Sequence, residues 1–298
     1  MEKLYGSIEA GGTKFVCAVG NENLKIINTV QFATTMPEET LKNVINYFSN
    51  YKEKLVAISI ASFGPIEIIK KSPKYGYITS TPKPGWENTD ILGVLKKALS
   101  VPMHFTTDVN GSAYGEYICR NGIKSLVYYT IGTGIGAGVI QDGKEVSGFG
   151  HLKLGHIRVS KHNKDSHFSG VCPFHGDCLE GLASGPSLEV RTKIRGENLP
   201  KNHAVWDIQA YYIAQAVMNA TLSYRPEVVV LGGGVMSQNH MLDRVKNQFE
   251  RLLNHYVEIP DINEYIVTPI VSNNGSATIG NIKYAVNIAK QEDKSDYV

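Results

Sequence analysis

Asp108 lies in the stretch Thr106-Thr107-Asp108-Val109-Asn110-Gly111-Ser112-Ala113-Tyr114-Gly115-Glu116. An apolar run, Val101 to Phe105, reads as a buried strand before it. Val109, Ala113 and Tyr117 recur at four-residue steps after it and predict a helix. Asp108 is therefore expected where a strand ends and a helix begins, the end at which open α/β sheets collect ligand-binding residues. A carboxylate there can cap the helix by accepting from its backbone, or act as a general base toward a bound hydroxyl. A second cluster is Cys172-Pro173-Phe174-His175-Gly176-Asp177-Cys178. Cys-x-x-His-x-x-Cys is compact enough for one tetrahedral zinc, given a fourth ligand. His156 is the preferred fourth ligand, with His151, His162 and His167 as alternatives. A sulfur-rich set in a loop favours a closed, structural site over a catalytic one.

Three glycine-rich stretches complete the chemical inventory. Gly11-Gly12-Thr13-Lys14 joins two predicted strands, Leu4 to Ala10 and Phe15 to Val19. Such a turn presents bare backbone N–H groups to a phosphate, with Thr13 and Lys14 as added donors. Walker-loop spacing is absent, and a strand follows where that motif needs a helix. Gly132-Thr133-Gly134-Ile135-Gly136-Ala137-Gly138 follows the strand Ser125 to Ile131 and leads into Val139-Ile140-Gln141, which closes on the Asp142-Gly143 turn. A dinucleotide fingerprint would require a helix there, so this is a second glycine hairpin resembling the first. Gly232-Gly233-Gly234 ends the strand Glu227 to Leu231 and lets backbone approach a flat ligand closely.

The elements that must position these groups alternate in an α/β pattern. Helices are expected at Pro37 to Ser49, Asp90 to Leu99, Val205 to Ser223, Asn239 to His255 and Gly275 to Ala289. Leu55 to Ile60 is a buried strand ending at Gly64-Pro65. Trp86, in the proline-rich loop Ser80 to Trp86, is either a sugar platform or a loop anchor. Lys290 to Val298 reads as a frayed polar tail.

The chain has 298 residues and a formal net charge of +2. That length suits two domains, and the balanced charge gives no footprint for nucleic acid or an anionic membrane. No apolar run reaches the length of a membrane span. Met1-Glu2-Lys3-Leu4 leads straight into a strand with no signal-peptide pattern, so the expected compartment is the cytoplasm. The four cysteines are Cys17, Cys119, Cys172 and Cys178. The first two read as small core residues, and no disulfide framework is expected.

In this order, Glu9-Ala10-Gly11-Gly12-Thr13-Lys14, Asp108-Val109-Asn110 with Gly115-Glu116, Gly132 to Gly138, Gly155-His156, Cys172 to Glu180 and Gly232-Gly233-Gly234 resemble the ROK sugar kinases, within the actin-like ATPase superfamily. Ile8 to Phe15 and Cys172-Pro173-Phe174-His175 are most similar to bacterial fructokinases. The resemblance implies an α/β fold of two actin-like ATPase (ribonuclease H-like) domains around a central cleft. The smaller would span residues 1–112. The larger, 113–298, would carry an inserted zinc loop at about 150–185, with the last helix placed to pack back on the first domain.

The resemblance further implies ATP with magnesium, a hexose substrate, structural zinc and a homodimer. Asp108 would be the general base. Gly11, Gly12, Thr13, Lys14, Gly132, Thr133 and Gly134 would meet the phosphates, and Gly233 and Gly234 the adenosine. His156 and Glu180 would contact the sugar, with His156 also binding zinc beside Cys172, His175 and Cys178. The implied reaction is phosphorylation of fructose to fructose 6-phosphate.

Three departures stand against the family pattern. Glu9 replaces an Asp. Thr107 replaces the Asn common in glucokinases, which leans away from glucose. Lys153 replaces a Glu that relatives place against sugar hydroxyls. A cation at that substrate-binding position raises two alternatives: a sugar-binding protein with impaired catalysis, or a kinase of glucose or mannose. A regulator of the same family would carry a helix-turn-helix domain ahead of the first strand, where this chain starts its strand at Leu4.

Overall fold

β1 (Leu4–Ala10) is apolar along most of its length and runs through the middle of a five-stranded sheet. The computed structural model describes residues 2–271 and 275–295 of the chain. These group into two compact units. One comprises Met1–Cys119, Ser147–His151 and Val271–Val298; the other comprises Arg120–Val146 and Leu152–Ile270.

In the first unit, β2 (Lys14–Gly20) folds back antiparallel on β1, with Ile8 opposite Cys17 and Ala10 opposite Phe15. β3 (Ile26–Ala33) pairs with β2 as an edge strand. Its mostly exposed residues lack a clear apolar alternation, so it was not predicted. α1 (Pro37–Ser49) starts on Pro37 with Glu38 and Glu39 in its first turn, and buries Leu41, Val44 and Phe48. β4 (Leu55–Ser62) lies parallel to β1. A two-residue pair, β5 (Tyr77–Ile78) and β6 (Thr89–Asp90), precedes α2 (Ile91–Leu99), whose N-cap Asp90 accepts from Gly93 N at 2.7 Å. β7 (Met103–Thr107) lies parallel to β4 and completes the order β3-β2-β1-β4-β7.

α3 (Asp108–Cys119) follows without a loop. α9 (Gly275–Ser295) packs against it, and a Cβ on Gly115 would overlap the Ser276 carbonyl oxygen. The helix continues past Ala289 through residues read as a frayed tail; 296–298 of that tail lie outside the described residues. Trp86 is a loop anchor and not a sugar platform. It is fully buried, packs against Phe15 and Phe63, and donates from Nε1 to Thr35 O at 2.8 Å.

The second unit repeats the same sheet plan. β8 (Ser125–Ile131) and β9 (Ile135–Gln141) form the antiparallel hairpin, and β10 (Lys144–Glu145) adds the edge through a turn with both Asp142 and Gly143 at positive φ. α4 (Leu179–Ala183), α5 (Gly185–Thr192) and the long α6 (Val205–Tyr224) come next. β11 (Val228–Gly232), α7 (Met241–Leu253), α8 (Ile262–Tyr265) and β12 (Ile266–Val267) end the unit. The order is β10-β9-β8-β11-β12, with β11 parallel to β8 and β12 parallel to β11. Tyr129, Trp206, Tyr212 and Phe249 anchor its core.

Between β10 and α4 the chain has no long regular element. A buried ion pair holds this stretch: Arg191 donates to Asp165 from Nε at 3.0 Å and from Nη2 at 2.8 Å. Tyr212 donates to the same carboxylate at 2.7 Å. The guanidinium also lies 3.9 Å above the Phe168 ring. Such a pair contributes little net stability against an apolar replacement, whereas removing one partner leaves a buried charge uncompensated.

Candidate active site

β1, β4 and β7 are parallel, so their C-terminal ends share one edge of the sheet. Ala10 pairs with Ser62, and Ser62 with Thr107. That register sets Glu9, one residue before the end of β1, and Asp108, one residue after β7, at the same edge. The cap expected of Asp108 is supplied by Thr107, whose Oγ1 accepts from Asn110 N at 3.2 Å. Asp108 Oδ1 instead accepts from its neighbour's N–H, Val109 N, at 2.9 Å. Asn110 Nδ2 donates to Thr106 Oγ1 at 3.2 Å and ties the first turn to the strand.

Glu9 is pushed up from 4.5 to about 7, chiefly by burial, then by the Asp108 carboxylate, against a smaller opposing effect of Lys14. The turn after it is tight: Gly11 N donates to Lys14 O at 3.0 Å, and Thr34 Oγ1 donates to Gly11 O at 2.6 Å. Thr13 and Lys14 are exposed, and Lys14 Nζ donates to Gln31 Oε1 at 2.9 Å. A side chain on Gly12 would meet nothing within 4 Å, so this backbone is open to a ligand.

In the second unit, Gly132 N donates to Gly134 O at 2.9 Å and closes the other hairpin turn. A cavity of about 490 Å³ adjoins it, lined by Gly132, Thr133, Gly185, Trp206, Gly234 and Gln238 among others. That volume is ordinary for a small-molecule site. Two expected binding glycines have different surroundings: Gly233, at φ 90, packs against Ile131, and Gly134 faces the Glu180 carboxylate. The start of α5 at Gly185-Pro186 and the Trp206 wall were missed by sequence reasoning. The Ser184-Gly185-Pro186 helix start was the signal available for the former.

His156, Cys172, His175 and Cys178 do come together. Their ligand atoms lie within 4.8 Å of one another. His156 Nδ1 is 3.7 Å from Cys172 Sγ and 3.6 Å from Cys178 Sγ; His175 Nδ1 is 3.7 Å from Cys172 Sγ. With ordinary zinc bond lengths, a tetrahedron has N···S edges of ~3.6 Å, so the donor set and spacing fit zinc. His151, His162 and His167 are not in the cluster. His162 Nδ1 accepts instead from Lys164 N at 3.2 Å. All four cysteines are free thiols; Cys17 is buried as expected, and Cys119 only partly.

Glu180, expected against the sugar, accepts through Oε2 from Ile135 N at 2.9 Å. Lys153 is exposed, and its carbonyl accepts from His156 N at 2.9 Å.

The chain belongs to the ROK family, whose profile matches residues 5–288. It is 59% identical over 291 residues to a fructokinase of Streptococcus mutans serotype c, covering 97% of this chain and 99% of that one. It is 52% identical to a fructokinase of Lactococcus lactis subsp. cremoris, covering 98% and 100%. Its fold matches that of a ROK hexokinase from Thermus thermophilus with a TM-score of 0.81 at 22% identity, covering 98% of this chain and 100% of that one. The α/β fold is thus the two-domain actin-like fold of the ROK sugar kinases.

Burial of the Glu9 carboxyl makes stability depend on pH. A carboxyl raised from 4.5 to about 7 on folding costs nothing below 4.5 and exerts its full cost above 7. At ~1.4 kcal/mol per pH unit, the upper bound is on the order of 3 kcal/mol. In ligand-free protein, Glu9→Gln should therefore raise the urea midpoint over the parent at pH 8 and lose most of that gain at pH 5. An equal difference at both pH values contradicts the assignment.

Proposed function

We propose that this chain is an ATP-dependent fructokinase that transfers the γ-phosphoryl group to the 6-hydroxyl of fructose. The observation that carries this reading is the 59% identity to a fructokinase across 97% of the chain. It disfavours the glucose or mannose kinase and the impaired sugar-binding protein alike.

In this reading Asp108 accepts the proton of the sugar hydroxyl as its oxygen attacks the γ-phosphorus and the bond to the bridging oxygen breaks. Phosphoryl transfer otherwise needs mainly positioning and charge neutralisation. The exposed glycine turns carrying Thr13 and Thr133 offer N–H and hydroxyl donors to phosphates. The cavity beside Gly234 takes the nucleoside. Magnesium, when bound, supplies neutralising charge to the phosphates. Glu9, pushed up chiefly by burial and then by the neighbouring Asp108 carboxylate, is a carboxylate of the first unit that would face that cation. His156 holds zinc through Nδ1, which leaves Nε2 for a sugar hydroxyl, and Glu180 keeps Oε1 for the same purpose. Lys153 is a substrate contact in this reading.

The two compact units correspond to the two domains of the family fold. A cytoplasmic homodimer is part of the proposal, supported by the family resemblance. Among the described residues no helix is long and apolar enough to cross a membrane.

Asp108→Asn keeps the size and removes the basic oxygen. It should lower kcat by roughly two to four decades, as expected for loss of a general base, with the circular dichroism spectrum unchanged. Near-normal turnover in the folded variant leaves Asp108 as a structural residue. For the metal, elemental analysis of purified protein should give about one zinc per chain. Cys178→Ser should lose it and lower the melting temperature. A fully active, zinc-free protein contradicts the assignment.

A further inference from the structure

The metal-fitting loop is bonded directly to the glycine turn beside the cavity. Two residues beyond Cys178, Glu180 accepts through Oε2 from Ile135 N at 2.9 Å. Ile135 is the first residue after Gly132-Thr133-Gly134. Gly134 gives the carboxylate its room, since a Cβ there would stand 2.8 Å from the same oxygen. At the other end of the turn, Gly185 N donates to Gly132 O at 2.7 Å. Ser184 N donates to Glu180 O at 3.1 Å, so both holds come from one short run of chain. On the metal side, Leu182 N donates to Cys178 O at 3.0 Å and Val171 N to Gly181 O at 2.9 Å. Gly155, next to His156, lies flush against Ile135, and a Cβ there would overlap its carbonyl oxygen.

Glycine turns lose more conformational freedom on ordering than any other backbone. A turn already held in shape binds its ligand more tightly, because that cost is met before the ligand arrives.

We propose that Glu180 is a positioning residue that couples the metal centre to nucleotide affinity. The occupied metal centre fixes the first turn of α4, and Glu180 transmits that order to the Gly132–Ile135 turn. The coupling is reciprocal: nucleotide raises zinc affinity by the factor by which zinc raises nucleotide affinity. The inference rests on the reading of this turn and cavity as the nucleotide site.

The test uses the full chain with zinc and magnesium-ADP as probes. ADP affinity is measured by titration calorimetry on zinc-loaded parent, zinc-stripped parent, Glu180→Gln and Glu180→Ala. Zinc affinity is measured by chelator competition with and without saturating ADP. Removing zinc from the parent should weaken ADP binding about tenfold or more, a size typical of coupled sites. Glu180→Ala should weaken it similarly while retaining one zinc, and further zinc removal should then have little effect. Glu180→Gln, whose amide oxygen can still accept from Ile135 N, should recover most of the affinity. ADP should raise zinc affinity in the parent by the same factor, an arm that decides the matter even if Glu180→Ala does not fold.

Parent-like ADP affinity in Glu180→Ala, with only the fructose KM raised, makes Glu180 a sugar contact alone and overturns the inference. So does zinc affinity indifferent to ADP. Zinc-loaded parent that fails to bind ADP at all is a different failure: it removes the nucleotide-site reading, and this inference with it.

Discussion

At Gly115 and at Gly155 the chain presses backbone against backbone, with no room for a single methyl group between a Cα and a carbonyl oxygen. Much of the arrangement follows from these two contacts. At the first, α3 and α9 meet so closely that the helix beginning at Asp108 is held from both its strand and its partner helix. Glu116, one residue on, accepts from Ser276 Oγ in the first turn of α9 and uses the positive end of that helix. At the second, the turn carrying His156 lies on Ile135. This brings a metal-fitting histidine beside the residue that follows the second glycine turn. Close approach of this kind transmits position well, because packed interiors do not deform continuously.

The two sheets share one plan, an antiparallel hairpin followed by parallel strands. In both, a short glycine turn links the hairpin strands, and its N–H groups need partners. The first turn closes on itself and on Thr34, leaving Gly12 open. The second is tied at both ends by residues after Cys178 and opens onto the cavity. The same local solution thus has different supports, and the second is bonded to a metal-fitting loop.

The strand-to-helix junction at Asp108 was legible because an apolar run gives way at once to four-residue periodicity. Which side chain caps it was not, since adjacent Thr and Asp can each serve and Asp is the commoner cap; the structure gives the task to Thr107. The Cys-x-x-His-x-x-Cys spacing was legible as a possible metal set, and of the four histidines weighed as a fourth ligand His156 is the one that lies in the cluster. The partnership of Glu9 with Asp108 follows from parallel register across three strands, which local pattern does not contain. The bond between Glu180 and Ile135 spans 45 positions and had no local signal. Trp86 was ambiguous because an aromatic in a proline-rich loop serves a ligand or a core equally well. Its burial against Phe15 and Phe63 is a tertiary fact. The exposed edge strand β3 and the two-residue strands carry too little apolar alternation to be read.

Which hexose the site takes is read from ADP release. The purified chain, with magnesium and ATP, would be assayed with fructose, glucose, mannose and N-acetylmannosamine by a coupled ADP assay. A fructose-specific site should give a kcat/KM for fructose about tenfold or more above that for each of the others, a modest difference in transition-state binding. A higher kcat/KM for another of these sugars, or no sugar-dependent ADP release at all, contradicts it.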